Sequence, residues 1–171
     1  EKKIFIVNLS KGRMGETNAA LLGSMLVVKI YLAAMSRAEE PAARMNALPR
    51  CYLYVDEFHN VVTETFENLL SEARKYGICL NMAHQFTGQV LPKVLAAVLG
   101  NVGTIIIFRV GGEDAMQVNP EMVPVFGEKD MINLGMREFY IKMTIDGDTY
   151  DPFSAETLKV TPPPYRSMKR E

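Results

Sequence analysis

The stretch CYLYVDEFHN, residues 51–60, begins as an apolar run typical of a buried strand and stops on two adjacent acids, Asp56 and Glu57. Two interpretations fit this ending. In a nucleotide site, the first acid holds Mg²⁺ through water and the second orients a water molecule for attack on a phosphate. In the other interpretation, both acids belong to a solvated loop. A short motif has meaning only in its structural context, so the flanking sequence has to distinguish them.

Strand-like and helix-like segments alternate on both sides of this stretch. The strands are apolar on both faces, which predicts an α/β fold with a mainly parallel sheet flanked by helices. Strands are predicted at residues 3–9, 51–55, 78–83 and 103–110, and helices at 19–37, 63–76 and 91–99.

The end of the chain breaks this alternation. Two β-rich runs flank the sequence DGD at residues 146–148, which predicts a tight antiparallel hairpin at one edge of the sheet. Residues 161–171, TPPPYRSMKRE, are proline-rich and then basic, so we expect an extended tail. The domain itself is predicted to span residues 1–160.

Composition and charge set limits on function. The chain has 171 residues, of which 48% are hydrophobic and 23% charged, as in an ordinary globular domain. Its formal net charge of -1 gives no electrostatic footprint for nucleic acid, so any DNA contact must be local or supplied by another part of the protein. Cys51 and Cys79 lack metal-ligand spacing, which favours buried thiols in a reducing cytoplasm.

Residues 19–35, AALLGSMLVVKIYLAAM, approach the length of a membrane-spanning helix. Lys29 inside this run would cost about 3 kcal/mol at the centre of a bilayer. A helix packed within an α/β domain has the same pattern, and we expect that arrangement here.

Polar residues follow each predicted strand. Asp56 and Glu57 follow the second strand, His84 and Gln85 follow the third, and Arg109 lies near the end of the fourth. Ligands of open α/β sheets bind beyond the carboxyl ends of the strands, so these side chains are expected at one edge. Acids, a carboxamide and an arginine suit Mg²⁺, an attacking water and the developing charge of a phosphate.

Several segments between Lys3 and Lys159 resemble the motor ATPases of type IV secretion and conjugative DNA transfer, RecA-like members of the FtsK–HerA superfamily. The similar segments are YLYVDEFHN, LSEARKYGICLNMAHQ, VNLSKGRMGE, FRVGGEDA and IDGDTYDPFSAETL. The resemblance implies that Asp56 and Glu57 form the Walker B motif and that Gln85 senses nucleotide. It also implies that Arg74 acts in trans on the nucleotide of a neighbouring subunit.

The same resemblance implies ATP and Mg²⁺ as cofactors and a homo-hexamer as the working assembly. DNA and other secretion or conjugation proteins would be its partners, and it would work in the cytoplasm at the inner face of the membrane. From their positions at strand ends, Asp56 is expected to meet Mg²⁺ through water and Arg109 to contact the nucleotide.

One departure from the family is large, because the P-loop pattern GxxxxGK[ST] is absent from these residues. The P-loop cradles phosphates with its backbone N–H groups and its lysine. We therefore expect the chain to be the C-terminal part of a motor domain, with the P-loop upstream, and to be inactive alone.

Two other classes stay open. The sequence DEFH at residues 56–59 fits the DExH box of superfamily-two helicases, although MAHQF stands where a Ser-Ala-Thr segment should follow. The missing P-loop also allows a non-catalytic partner-binding module. A P-loop in the upstream reading frame would separate these alternatives.

Overall fold

The computed structural model describes residues 3–41, 44, 48–62 and 64–160. The chain divides into two compact units, Glu1–Val102 and Gly103–Glu171, and each is described here by itself. The predicted tail at residues 161–171 lies outside the described residues.

The sheet of the first unit is a pair of parallel strands, β1 (Cys51–Asp56) and β2 (Ile78–Ala83). Their register runs from Cys51 opposite Ile78 to Asp56 opposite Ala83. Both strands therefore end at the same edge, and the residues that follow them emerge side by side. The prediction of buried thiols is wrong for Cys51, the first residue of β1, which is exposed, whereas Cys79 in β2 is partly buried.

The three longer helices of the first unit share a core with this strand pair, and a short helix precedes them. These helices are α1 (Lys11–Met14), α2 (Glu16–Met35), α3 (Glu64–Glu72) and α4 (Pro92–Asn101), with 3₁₀ turns at Ser36–Glu39, Phe58–Asn60, Ala73–Tyr76 and Thr87–Gln89. Phe58, Phe66 and Leu69 are almost completely buried in the core, and Leu53 and Val55 pack against it from one face of β1. The predicted α/β class is confirmed.

Helix α2 carries a buried stripe at helical spacing, consisting of Ala19, Gly23, Val27, Tyr31 and Ala34. Among the described residues, the segment Glu16–Glu39 is the one helix long and apolar enough to cross a membrane, with 28% of its most apolar window buried. Length and composition alone are weak evidence for a span, and the stripe is what a helix packed on a domain core requires.

Residues 3–9 were predicted to form a strand, and this prediction is wrong within the described residues. They have no regular secondary structure. Ile4 is 91% exposed, Phe5 is 78% exposed and Ile6 is 85% exposed. An apolar, β-branched run gives a segment strand propensity, but a strand also needs a neighbour that accepts its backbone hydrogen bonds.

The second unit is built on an antiparallel sheet with strands β3 (Thr104–Ile107), β4 (Glu138–Ile145), β5 (Asp148–Thr149) and β6 (Phe153–Glu156). Strands β4 and β5 form the predicted hairpin, and Asp146 and Gly147 in its turn both have positive φ. Helices α5 (Gly112–Met122) and α6 (Glu128–Ile132) complete the unit, and Met122 and Met131 are fully buried in its core.

The fourth predicted strand exists, but its expected place in the parallel sheet is wrong. Strand β3 pairs antiparallel with β4, and Thr104 lies opposite Met143. The run of isoleucines indicated a strand buried on both faces, yet Ile106 is 51% exposed. Such a run reports strand propensity and does not specify the direction in which the strand pairs.

Candidate functional site

Strand β1 turns sharply where the two acids lie. Glu57 has φ 47° and ψ 51°, a left-handed conformation that is uncommon for a residue with a side chain. Asp56 Oδ1 accepts a hydrogen bond from the Glu57 backbone N–H at 3.0 Å. Left-handed residues other than glycine cost about 1–3 kcal/mol and cluster at functional sites. The turn therefore supports a functional interpretation of the acid pair.

A cleft of about 270 Å³ lies beside this turn. It brings together Glu57 and Gln85, which follow β1 and β2 respectively, as the strand-end argument predicted. Its remaining lining comes from α1 and from the turns after the strands, namely Lys11, His59, Asn60, Phe86 and Gln89.

The loops that carry Glu57 and Gln85 are packed against each other. The ring of His84, next to Gln85, lies edge-on to Phe58, next to Glu57, with 4.8 Å between the ring centres. His84 Nδ1 is also 3.1 Å from the backbone oxygen of Phe86. This packing fixes the separation of the two loops, and with it the width of the cleft.

Glu57 is held by its own turn as well. Asn60 donates hydrogen bonds from its backbone N–H and its side-chain Nδ2 to the Glu57 carbonyl oxygen, each at 3.0 Å. His59 Nδ1 lies 3.4 Å from Glu57 Oε2. The Glu57 side chain is 30% exposed.

A lysine from α1 brings positive charge to the cleft. Lys11 Nζ forms an ion pair with Glu16 Oε1 at 2.8 Å. This hydrogen bond and the Lys11 charge hold the pKa of the Glu16 carboxyl below its usual value. Neither Lys11 nor Glu16 was predicted as a site residue, because nothing in the sequence pattern indicates that the segment SKGRMGE folds toward β1.

Arg74 lies in the 3₁₀ turn that follows α3, and its side chain is exposed. Gly77 ends this turn in a left-handed conformation, as expected, and β2 begins at the next residue. Arg74 is therefore near the start of β2, whereas Glu57 and Gln85 follow the ends of the strands. The structure does not bring Arg74 into the cleft of its own chain.

Arg109 lies just after β3 in the second unit and is exposed. The prediction that it closes a buried strand of the parallel sheet is wrong, because β3 belongs to the antiparallel sheet. Its contact with a nucleotide stays a prediction.

The described residues limit how a metal ion could bind at this site. Among the described residues, no group of three or more His, Cys, Asp and Glu side chains could hold a metal ion. Mg²⁺ bound with a nucleotide needs only one or two carboxylates, because phosphates and waters supply the other ligands. Asp56 is not among the residues that line the cleft, so its contact with Mg²⁺ stays a prediction.

Comparison with known proteins shows what the chain is similar to. Residues 50–132 match the family model described as the TraM recognition site of TraD and TraG. The chain is also similar in fold to a solved structure, "Bacterial conjugative coupling protein TrwBdeltaN70" in an unbound monoclinic form, with a TM-score of 0.52 and 13% sequence identity. The match covers 67% of this chain and 34% of that chain. No curated protein matches.

These findings confirm the resemblance to conjugation and type IV secretion motors. The chain is similar in fold to part of a conjugative coupling protein, and residues 50–132 are similar to a region of TraD and TraG. It spans about a third of the length of the solved relative, 34%.

Proposed function

We propose that the chain is part of an ATP-driven DNA or protein translocase motor of a conjugation or type IV secretion system. One observation carries this proposal: Glu57 and Gln85, which follow two neighbouring parallel strands, line one cleft. A helix and loops elsewhere in the protein would supply the phosphate cradle that these residues lack.

In this proposal the two acids divide the chemistry. Asp56 would hold Mg²⁺ through water, and a bound ion would supply positive charge for the phosphates of ATP. Glu57 orients a water molecule and accepts its proton. Gln85, across the cleft, donates a hydrogen bond and senses whether the terminal phosphate is present.

Arg74 would act on a neighbouring subunit. Its exposed position near the start of β2 suits a side chain that reaches out of its own subunit, and an arginine supplied in trans stabilises transition-state charge. A homo-hexamer at the inner face of the membrane would bring Arg74 to the cleft of the next subunit. Nucleotide binding by Arg109 is part of the same proposal.

A second candidate function is partner recognition. The description of the matching family as a TraM recognition site favours a protein-binding surface within residues 50–132. DNA contact would then come from other parts of the assembly, because the net charge of this chain is only -1.

The test is Mg²⁺-dependent ATP hydrolysis by the full-length protein that contains these residues. We expect Glu57→Gln to lower turnover by about 10² or more, the contribution of a positioned general base. Glu39→Gln is the matched control, since Glu39 is an exposed acid in the 3₁₀ turn after α2. Turnover of Glu57→Gln within a few-fold of the Glu39→Gln control would contradict the proposal.

A further inference from the structure

His59 is a mostly buried side chain aimed at the carboxylate of Glu57. Its side chain is 14% exposed, and its Nδ1 is 3.4 Å from Glu57 Oε2. Nδ1 is buried and makes no hydrogen bond among the described residues. A buried polar atom without a partner costs about 1–3 kcal/mol, so such an atom in a native fold calls for an explanation.

The distance between His59 Nδ1 and Glu57 Oε2 suggests an explanation. Catalytic hydrogen bonds are often long in the ligand-free protein and tighten when the substrate binds. A shift of roughly half an ångström would bring His59 Nδ1 within ordinary hydrogen-bond distance of the carboxylate. In that arrangement the nitrogen carries the hydrogen and Glu57 accepts it.

The contacts that hold the strained backbone of Glu57 do not orient its carboxylate. Its left-handed conformation is fixed by Asp56 on one side and Asn60 on the other, but both of these contacts involve main-chain atoms of Glu57. His59 is the side chain that contacts the Glu57 carboxylate oxygen. A base that is oriented by a third group recurs in enzymes that activate a nucleophile.

The environment of His59 favours a fixed ring. It lies in the 3₁₀ turn Phe58–Asn60, whose Phe58 is buried in the core. The buried Phe58 anchors the turn, which holds the ring of His59 beside the Glu57 carboxylate.

We propose that His59 is a positioning residue that holds the Glu57 carboxylate toward the attacking water by an Nδ1–H hydrogen bond. This inference rests on the proposed function, because it assigns His59 a role only if Glu57 is the base.

Two polar substitutions in the full-length protein test the geometry. His59→Asn places an amide nitrogen close to the position of Nδ1, whereas His59→Gln places it close to the position of Nε2. We expect His59→Asn to keep kcat within about threefold and His59→Gln to lower it about tenfold or more, with little change in the KM for ATP, because only the base is misplaced. Equal melting temperatures of the two variants would exclude a folding difference.

A double-mutant cycle separates positioning from general support. In the Glu57→Gln background, we expect His59→Gln to cause no further loss in single-turnover hydrolysis. Equal kcat in His59→Asn and His59→Gln, or the same loss from His59→Gln with and without Glu57, would overturn the inference. If Glu57→Gln lowers turnover but His59→Gln does not, only the role of His59 fails. If Glu57→Gln leaves turnover unchanged, the proposed function fails and the role of His59 fails with it.

Discussion

Replacing Gly23 with alanine tests how the site is supported by α2. A Cβ atom at Gly23 would overlap the side chain of Val61 and lie 2.9 Å from Leu9 Cδ1. Val61 directly follows the Phe58–Asn60 turn that carries His59. Helix α2 can therefore approach the site only because residue 23 has no side chain.

Two opposing effects set the size of the stability change caused by Gly23→Ala. Overpacking costs about 1–3 kcal/mol, and the stiff, branched side chain of Val61 places the cost in the upper half of that range. Alanine in place of a helical glycine returns about 1 kcal/mol. We expect Gly23→Ala to lower the free energy of unfolding by about 1–2 kcal/mol.

Gly100→Ala is the matched control. Gly100 is an exposed position in α4, and its added Cβ would meet no atom within 4 Å. This substitution should raise stability by about 0.5–1 kcal/mol, so the two variants should differ by about 2 kcal/mol.

Thermal unfolding followed by circular dichroism measures the difference. For a chain of this size, about 2 kcal/mol corresponds to roughly 4–8 °C in Tm. We expect Gly23→Ala of chain 1–171 to melt below the unsubstituted chain and Gly100→Ala to melt above it. If Gly23→Ala melts at or above Gly100→Ala, the close packing of α2 on Val61 is refuted.

Three further predictions concern catalysis and pH. Chain 1–171 alone should not hydrolyse ATP, and micromolar ATP–Mg²⁺ binding by calorimetry would contradict this. Mixing full-length Arg74→Ala and Glu57→Gln subunits should restore hydrolysis at mixed interfaces, and no recovery despite co-assembly would refute action in trans. Burial, and then the hydrogen bond to Glu72, raise the pKa of Tyr31, so stability should fall above about pH 10, where unfolded tyrosine ionises. Tyr31→Phe should lose less stability over the same pH range. An equal loss in the free energy of unfolding, measured by urea titration, would refute that cause.

The sequence predicted the parts of the fold that depend on local pattern. β1 and β2 are apolar runs with clear ends, and Gly77 supplies the left-handed residue that separates α3 and its 3₁₀ turn from β2. The hairpin turn at Asp146 and Gly147 follows from turn chemistry. These features need no knowledge of distant contacts.

Pairing partners could not be predicted in the same way. The isoleucine run of β3 and the apolar run at residues 3–9 both have strand propensity, yet one pairs antiparallel and the other has no strand structure. The difference lies in which neighbouring backbone is available, and the composition of a segment does not contain that information.

The candidate site, like the fold, could be predicted from the sequence only in part. Parallel strands end at one edge, so Glu57 and Gln85 could be placed together from sequence. Lys11 and His59 could not, because their positions depend on the fold of α1 and on the left-handed backbone of Glu57. The motif DEFHN contains His59, but its spacing alone does not indicate a contact with the Glu57 carboxylate.

The division of roles between the two acids is the central claim, and one equilibrium titration tests it most directly. ATP should be titrated with and without Mg²⁺ into the full-length protein and its Asp56→Asn and Glu57→Gln variants. We expect Glu57→Gln to bind ATP–Mg²⁺ like the unsubstituted protein, because the base acts only on the attacking water. We expect Asp56→Asn to lose the Mg²⁺-dependent part of the affinity, because its carboxylate meets the ion. Unchanged Mg²⁺ dependence in Asp56→Asn, or lost binding in Glu57→Gln, would contradict this assignment.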